Sequence, residues 1–387
     1  MARPQRISID ILPEGPLADD VRAAWAKACE DNAPCHISHS PMWLEALRTT
    51  GTKPVWAVRV RDGDRLLGYL NVVAESGSIG FTVAEKPLYR IPVSMGAVSY
   101  PGWPLAAPPE TCRDVLFAIL DAFPRFDGLR ISTVPLDDPV FPLLENEAAA
   151  RDHGIKAHWS GHPQRRHVVD DPSLRGRFEK RFSSKTRHTI QRKWRRMAAE
   201  FGDARLEVFK APERVEKFID EARKISEKSW QGRHLGERIR ENDKVWMTEL
   251  ARSGAFLSFI LYAGDRPAAF CAGKVFQGTY YYDEVAYDPA FKDYSPGRIL
   301  LYELAKTIYT PDEGVTRIDF QYGHAAYKDQ FSTTDYAETY YFLYRRRPGL
   351  LAALALQRFY ARAYDLVKAP VEKLGLKSRL RKFLRGT

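Results

Sequence analysis

The stretch TYYYDEVAYDPAFKDYSPGRILLYELAKTIYTPDEGVTRIDFQYGHAAYKDQF, residues 279–331, sets out a strand, a turn, a helix, a strand and a helix in that order. Residues 279–286 are aromatic and β-branched enough to favour a strand. Apolar residues recur at helical spacing over residues 298–309, and residues 316–320 read as a second strand. The helix that follows carries Tyr327 and Lys328. The sequence therefore predicts a strand–helix–strand unit with a tight turn before its first helix.

The turn before that helix reads Tyr294-Ser295-Pro296-Gly297. It predicts that Ser295 caps the helix and that Pro296 occupies the first helical position. A helix that begins after a small-residue loop presents free backbone N–H groups and the positive end of its dipole, which together bind a pyrophosphate. We therefore expect Ser295, Gly297 and Arg298 to hold the phosphates of a bound co-substrate. An ordinary capped helix is the alternative.

Four motifs follow one another in this stretch. They are Tyr-Asp-Pro-x-Phe from Tyr287, Tyr-Ser-Pro-Gly-x-x-Leu-Leu from Tyr294, Asp-Phe-x-x-Gly from Asp319 and Tyr-Lys-x-x-Phe from Tyr327. In this order they resemble the GNAT-type acyl-CoA N-acyltransferases of the CelD and FemAB-like branch. The resemblance covers residues 165–345 well, and it covers the N-terminal half loosely through the motif HSPMWL at residues 39–44.

The resemblance implies an α/β (α+β) fold of two tandem GNAT-like domains, with mixed, mostly antiparallel sheets flanked by helices. Only the second domain is expected to keep a good CoA turn. We expect a degenerate GNAT-like domain in residues 1–160, an acyl-CoA-binding GNAT domain in residues 165–345 and a basic tail of amphipathic helices in residues 346–387. In the first half, residues 54–60 and 66–73 predict two hairpin strands, residues 89–100 a Gly/Pro-punctuated loop, residues 112–123 a helix and residues 128–134 a strand. The later half has the same order, which indicates a weak internal duplication.

The positive charge of the chain is concentrated at its C-terminal end. The net charge is +10, and residues 345–387 hold twelve Lys and Arg against two acidic residues, whereas the remainder is balanced at 47 of each sign. Apolar residues recur among the basic ones in two helical segments of this tail, the first broken by Pro370 and the second running from Leu376 onward. A basic amphipathic helix lies well on an anionic membrane surface. The alternative is a helix that packs on the domain and a solvated end.

A second basic segment lies at residues 175–197, with ten basic residues and one acid. Its few apolar residues form one narrow stripe, so the rest of the helix is cationic. We expect either a solvated helix or an electrostatic surface for CoA phosphates, a membrane or an anionic substrate. No nucleic-acid recognition module is visible, so nucleic acid is the poorer match.

Other features of the sequence favour the cytoplasm, with peripheral contact at the inner face of the membrane. Residues 1–20 lack the apolar segment of a secretion signal, and the longest apolar runs fall far below the roughly 20 residues of a membrane span. The four cysteines form no metal-ligand spacing and are expected to be buried thiols in a reducing compartment. We expect no metal and no permanently bound cofactor, with acyl-CoA as a co-substrate.

N-acyl transfer from a thioester needs a bound CoA, donors to the thioester oxygen, a base for the acceptor ammonium and an acid for the departing thiolate. Backbone N–H groups around Val285 and Tyr287, on the strand before the turn, are the expected donors. Alternation along the strand places Asp283 and Glu284 on opposite faces, and we favour Glu284 as the base. His324 is a rival base, because its ordinary pKa suits neutral pH.

The remaining site predictions concern the acid and the acceptor. By resemblance, Tyr327 occupies the place where GNAT enzymes often carry an acidic tyrosine, and core packing is the alternative. Lys328 is expected to bind a phosphate or a carboxylate of the substrate. Trp230, Arg233 and His234 are candidates for lining the acceptor cleft.

The basic amphipathic tail favours a lipid amine as acceptor and a long-chain acyl-CoA as donor. The specific hypothesis is acylation of a sphingoid base, the ceramide synthase reaction of sphingolipid biosynthesis. An N-acetyltransferase of exopolysaccharide or surface-glycan assembly is the alternative. A FemX-like aminoacyl transferase that uses charged tRNA also fits the basic helix, and a catalytically inactive module that binds acyl-CoA or an anionic membrane is a further alternative.

Overall fold

The strands of both halves belong to one mixed sheet. This computed structural model describes residues 7–83, 86–159, 163–229, 232, 239–323 and 325–373. The strands are β1 (Ile7–Ile11), β2 (Val55–Asp62), β3 (Arg65–Val83), β4 (Lys86–Ser99), β5 (Gly128–Pro135), β6 (Ile155–Trp159), β7 (Gln164–Val169), β8 (Ala204–Phe209), β9 (Ser258–Ala263), β10 (Arg266–Phe276), β11 (Thr279–Tyr287), β12 (Arg317–Tyr322) and β13 (Thr334–Arg345). Their order in the sheet is β1-β2-β3-β4-β5-β13-β7-β12-β11-β10-β9-β8, and β6 pairs with β13.

Helices flank this sheet. They are α1 (Asp19–Asp31), α2 (Pro41–Thr50), α3 (Pro109–Ala122), α4 (Val140–Leu144), α5 (Glu147–Asp152), α6 (Ser184–Phe201), α7 (Val215–Ser226), α8 (Asp243–Arg252), α9 (Pro296–Ile308), α10 (Ala326–Phe331) and α11 (Pro348–Lys373). Among the described residues, no helix is both long enough and apolar enough to cross a bilayer.

The two halves repeat one strand order. In the first half β1 to β4 pair antiparallel and β5 then joins β4 in parallel, with α3 as the crossover helix. In the second half β8 to β11 pair antiparallel and β12 joins β11 in parallel, with α9 as the crossover. The predicted mixed, mostly antiparallel α/β fold and its internal duplication are therefore confirmed.

The strand β13 joins the two halves. It pairs antiparallel with β5 of the first half on one side and with β7 of the second half on the other, through Thr334–Glu338 opposite residues 164–168. The sheet thus continues across the predicted boundary near residue 160, which lies between β6 and β7. The division into residues 1–160 and 165–345 stays a prediction.

The second half has a hydrophobic core on each face of the sheet. On one face α6 and α9 pack over residues that include Tyr280 and Tyr282. On the other face α7 and α8 pack over residues that include Tyr281, and the first half contributes Ile37 and Ala46 to this core. The segment around the HSPMWL motif therefore supports the second half of the sheet.

Two elements differ from the sequence-based expectation. The strands β3 and β4 form one long hairpin, whereas β3 was expected to end at Val73 and residues 89–100 to form a Gly/Pro-punctuated loop. Alternate residues near the end of this hairpin, such as Ile79, Val93 and Met95, are buried under α11, which stabilises the strands despite their glycines and prolines. The helix α11 continues past Pro370, although a break was expected there, and the apolar residues predicted to form a second helix, from Leu376 onward, lie outside the described residues.

Candidate functional site

A cavity of about 690 Å³ opens where β11 and β12 separate. The two strands pair in parallel only from Thr279–Tyr281 opposite residues 317–319. Beyond this point, Tyr282 to Ala286 of β11 line one side of the cavity and Phe320 to Tyr322 line the other. The cavity falls within the usual range of small-ligand sites, about 300–1,000 Å³. Of the two residues predicted to donate to a thioester oxygen, Val285 lines the cavity, and Tyr287 lies at the exposed end of β11.

A β-bulge in β11 sets which side chains face the cavity. Tyr282 pairs with Gly273 and Glu284 pairs with Ala272, so Asp283 is an extra residue without a partner on β10. The extra residue interrupts the alternation of the strand, and both Asp283 and Glu284 line the cavity. The regular alternation that was expected to place the two carboxylates on opposite faces is therefore interrupted at Asp283, and which of them meets the substrate stays a prediction.

The two carboxylates differ in their surroundings. Asp283 forms an ion pair with Lys274, a buried residue of β10. The Lys274 ammonium also lies 4.7 Å from the ring centre of Trp43, which the first half supplies. Glu284 lines the same cavity beside Asp283, and its role as the base stays a prediction. Sequence reasoning missed both Lys274 and the contact of the motif at residues 39–44 with the second half.

Tyr327 and Tyr282 form the aromatic wall of the cavity. The short helix α10 places the Tyr327 ring 6.3 Å from the Tyr282 ring in an edge-to-face arrangement. Burial raises the pKa of Tyr327 to about 12, so its hydroxyl stays protonated at neutral pH. A protonated hydroxyl beside the cavity is able to donate to a leaving thiolate.

Lys328 lines the cavity and is buried. Its ammonium donates to the carbonyl of Tyr322 at 2.7 Å and to that of Gln321 at 3.4 Å. Burial lowers the pKa of Lys328 to about 8, which still leaves most of the side chain charged at neutral pH. The lysine therefore fixes the end of β12, and its predicted contact with substrate stays a prediction.

A buried ionic network supports this end of β12, and sequence reasoning missed it. The guanidinium of Arg166, on β7, pairs with Asp319 at 2.8 Å and with Glu338 of β13 at 3.2 Å. It also donates to the side chain of Gln321 at 3.0 Å, and Asp319 accepts from the backbone N–H of the same glutamine. Gln321 adopts a left-handed backbone with φ of 60°, which this network holds in place. The signal for such a network in the sequence was Asp319, which lies between two apolar strand residues. A charged residue is rarely buried without a partner, so its position indicates a buried ion pair.

The predicted phosphate turn lies beside a cationic helix. Ser295 has φ of 55° and does not cap α9, so the predicted capping bond is wrong. In this left-handed conformation its hydroxyl instead accepts a hydrogen bond from Lys193 of α6 at 2.6 Å. The Arg298 Nε is buried and has no acceptor among the described residues. A Cβ added to Gly297 would meet only Tyr287, at 3.8 Å, so the backbone here is open to close approach by a ligand.

In the first half, the loop before α3 corresponds to the turn before α9, and side chains and backbone of this loop pack against the sheet. Trp103 of the loop before α3 donates its indole N–H to the carbonyl of Ser99, at the end of β4, at 2.6 Å. Leu105 of the same loop bridges to Gly68 of β3, where an added Cβ would lie 1.9 Å from the carbonyl oxygen of Pro104. The loop before α3 is thus packed against the sheet at the position where the second half has the open backbone of Gly297.

Four predicted residues lie outside the described residues. They are the rival base His324 and the acceptor-cleft candidates Trp230, Arg233 and His234. Residues on either side of these positions do line the cavity, namely Ser226, Arg240 and Tyr322. The roles of the four stay predictions.

Comparisons with known proteins give one family match and several similar folds. Residues 184–329 match the family model described as an acetyltransferase (GNAT) domain. Among solved structures, FemX is similar with a TM-score of 0.57 at 11% identity, covering 87% of this chain and 98% of its own. A conserved protein of unknown function from Bacteroides thetaiotaomicron VPI-5482 has a TM-score of 0.51 at 12% identity, covering 85% of this chain and 98% of its own. A tandem GNAT protein from the clavulanic acid biosynthesis pathway has a TM-score of 0.48 at 12% identity, covering 89% of this chain and 99% of its own. None of the curated proteins matches the chain.

Proposed function

We propose, on the premise that residues 184–329 form a GNAT-type acyltransferase domain, that the protein transfers a long-chain acyl group from acyl-CoA to the amine of a lipid such as a sphingoid base. The observation that carries this proposal is the cavity at the divergence of β11 and β12, on the strand that leads through Tyr287 to the open start of α9. A thioester bound there would have its phosphates at one end and its reacting carbon among titratable side chains at the other.

Each step of acyl transfer has a candidate group on this chain. Gly297, Arg298 and the neighbouring Lys193 would hold the CoA phosphates through backbone and cationic donors. The free edge of β11 near Val285 would donate to the thioester oxygen as the amine attacks. Glu284 would take the proton of the acceptor ammonium, and the Tyr327 hydroxyl would donate to the thiolate that leaves.

The lipid acceptor is supported by the C-terminal part of the chain. The helix α11 carries exposed apolar residues, and the tail from residue 345 onward holds the excess positive charge of the whole chain. An enzyme whose acceptor lies in a membrane needs such a surface to reach it. The ceramide synthase reaction is the specific form of this proposal.

Two other transfer reactions, each with its own donor, remain as alternatives. An N-acetyltransferase of surface-glycan assembly would use the same cavity with acetyl-CoA and an amino sugar. An aminoacyl transferase that uses charged tRNA would use the cationic face of α6, which flanks the turn through Lys193. Salt-sensitive binding of tRNA would favour the second of these.

The test is acyl transfer by the purified full chain with palmitoyl-CoA and sphinganine, followed by release of free thiol and by mass analysis of the amide. Parallel reactions contain acetyl-CoA with an amino sugar, and palmitoyl-CoA without an amine. Turnover with the sphingoid base supports the proposal. Turnover confined to acetyl-CoA and the amino sugar would replace it with the glycan alternative.

Removing the hydroxyl of Tyr327 tests the proposed acid. We expect Tyr327→Phe to lower kcat by about 10²-fold, within the usual contribution of a general acid, with little change in the KM for acyl-CoA. The control is Tyr322→Phe, which removes a hydroxyl from an exposed tyrosine of the same cavity. Steady-state kinetics measure kcat and KM for both variants. Equal losses of kcat in the two would reject the role of Tyr327 as the acid.

Removing the ammonium of Lys193 tests the phosphate turn. We expect Lys193→Ala to raise the KM for acyl-CoA by about three- to tenfold, because a partly exposed charged donor is lost. The increase should be smaller at high salt, which screens the same interaction. Lys185→Ala, an exposed lysine near the start of the same helix, is the control. A KM that stays the same in both variants would place the CoA phosphates elsewhere.

A further inference from the structure

One face of α11 packs against the β3–β4 hairpin. Leu350, Ala353 and Leu354 join a core formed with Ile79, Val93 and Met95 of the hairpin. The side chain of Gln357 donates to the carbonyl of Gly80 at 3.1 Å, and the Tyr360 ring lies 5.4 Å from that of Phe81. The amphipathic stripe expected from the sequence is thus used in part to hold the helix on the hairpin.

The opposite face of α11 is also apolar. Leu356, Phe359 and Leu366 are spaced by three and seven residues, so they share a face in a helix of about 3.6 residues per turn, away from Leu354. These three side chains are between 55% and 77% exposed. We call this set the outer stripe of α11. Since a helix with two apolar faces normally has both of them covered, the outer stripe calls for a partner.

The end of the hairpin carries a second exposed apolar pair. Leu88 and Tyr89 of β4 are 64% and 65% exposed. Tyr89 pairs across the hairpin with Phe81, whose ring contacts α11 through Tyr360. The outer stripe and the hairpin end therefore belong to one connected unit of the fold.

The charge around these residues identifies the partner. Arg358 and Arg362 are exposed on α11, and Arg90 is exposed beside the hairpin pair. A second copy of this chain would bring like charges together, which disfavours self-association. Residues 374–387 are a poor cover for the same reason, because they hold five basic residues and no acid. An anionic bilayer offers an apolar interior and a negative surface together.

We propose that the outer stripe of α11 and the hairpin residues Leu88 and Tyr89 form one two-element surface that lies on an anionic lipid bilayer. The apolar side chains enter the level of the headgroups, and the arginines pair with lipid phosphates. This inference identifies an anionic bilayer as a partner of the proposed lipid acyltransferase, and it rests on that proposed function. The contact itself is measurable without turnover, so its failure and that of the proposed function are distinguishable.

Flotation of the full chain with vesicles tests the proposal. Wild-type protein should float with vesicles of phosphatidylcholine that contain about 30% phosphatidylglycerol, and not with phosphatidylcholine alone. The variant Phe359→Asp with Leu366→Asp should reduce partitioning at least about tenfold, since it removes two apolar side chains that the bilayer would bury. The variant Leu88→Asp with Tyr89→Asp should also reduce it, which separates this surface from simple attraction of the tail.

Two further variants keep the test decisive. Arg358→Glu with Arg362→Glu should weaken binding to anionic vesicles without removing apolar contacts. Val245→Asp, an exposed apolar residue of α8, should bind as wild type does. Unchanged flotation of both aspartate pairs would overturn the proposal. So would a wild-type dimer that Phe359→Asp makes monomeric while vesicle binding stays the same, because the outer stripe would then be covered by a second copy.

Discussion

Replacing Glu284 with glutamine is expected to lower kcat by about 10²–10⁴-fold, the usual contribution of a general base. The acceptor amine arrives as an ammonium, and an amide of the same size cannot take its proton. Glu284 lines the cavity beside Val285, where the thioester is proposed to lie. The KM for acyl-CoA should change little, because the CoA phosphates are proposed to bind at the start of α9, away from Glu284.

The pH dependence of kcat makes this prediction specific. In the wild type kcat should fall at acidic pH as the base becomes protonated, and Glu284→Gln should lose that acidic limb. Asp283→Asn is the control, because Asp283 is already engaged by Lys274. A large loss of kcat in Asp283→Asn, together with a near-normal kcat in Glu284→Gln, would identify Asp283 as the base. Loss of the acidic limb of the pH profile only in His324→Gln would identify His324 as the base.

Replacing Arg166 with methionine is expected to lower the free energy of unfolding by about 3–5 kcal/mol near neutral pH. The variant leaves Asp319 and Glu338 buried without their shared cation. Arg165→Met is the matched control on the same strand, since Arg165 forms an exposed pair with Asp335 and should contribute within about 1 kcal/mol. Denaturant titration of both variants measures the difference.

The loss in Arg166→Met should depend on pH with a definite sign. Burial already raises the pKa of Glu338 above its usual value of 4.5, and loss of the guanidinium would raise it further. A carboxyl whose pKa is raised on folding stabilises the folded state below its unfolded pKa, and that contribution is lost as pH rises through the folded value. The deficit of the variant should therefore shrink as pH falls toward 4.5. A deficit that is independent of pH would mean that lost packing, and not unpaired charge, is its cause.

The central unit of the fold could be predicted from the sequence because its signals are local. The strand expected at residues 279–286 is β11, the helix expected from the turn at Pro296 is α9, and the strand expected at 316–320 is β12 within two residues. Aromatic and β-branched runs, a proline at the first helical position and a helical apolar repeat act within a few residues of one another. Such signals do not depend on the rest of the chain.

Features that depend on distant pairing could not be predicted in this way. The bulge at Asp283 arises from the register between β10 and β11, so residue alternation alone misplaced the two carboxylates. Arg166 meets its partners across more than 150 residues of chain, and nothing near it in the sequence indicates them. The left-handed backbone of Ser295 follows from the tight turn into α9 and overrides the usual preference of serine for capping.

The position of β13 has a consequence for how the protein is made. While the chain emerges from the ribosome, β5 and β7 each present an open edge until residues 334–345 have been synthesised. Neither half of the sheet is complete before that moment, and such long-range pairing is slow. Nascent chains that stop before residue 334 therefore expose these strand edges to chaperones and proteases, so we expect cells not to accumulate such truncated products.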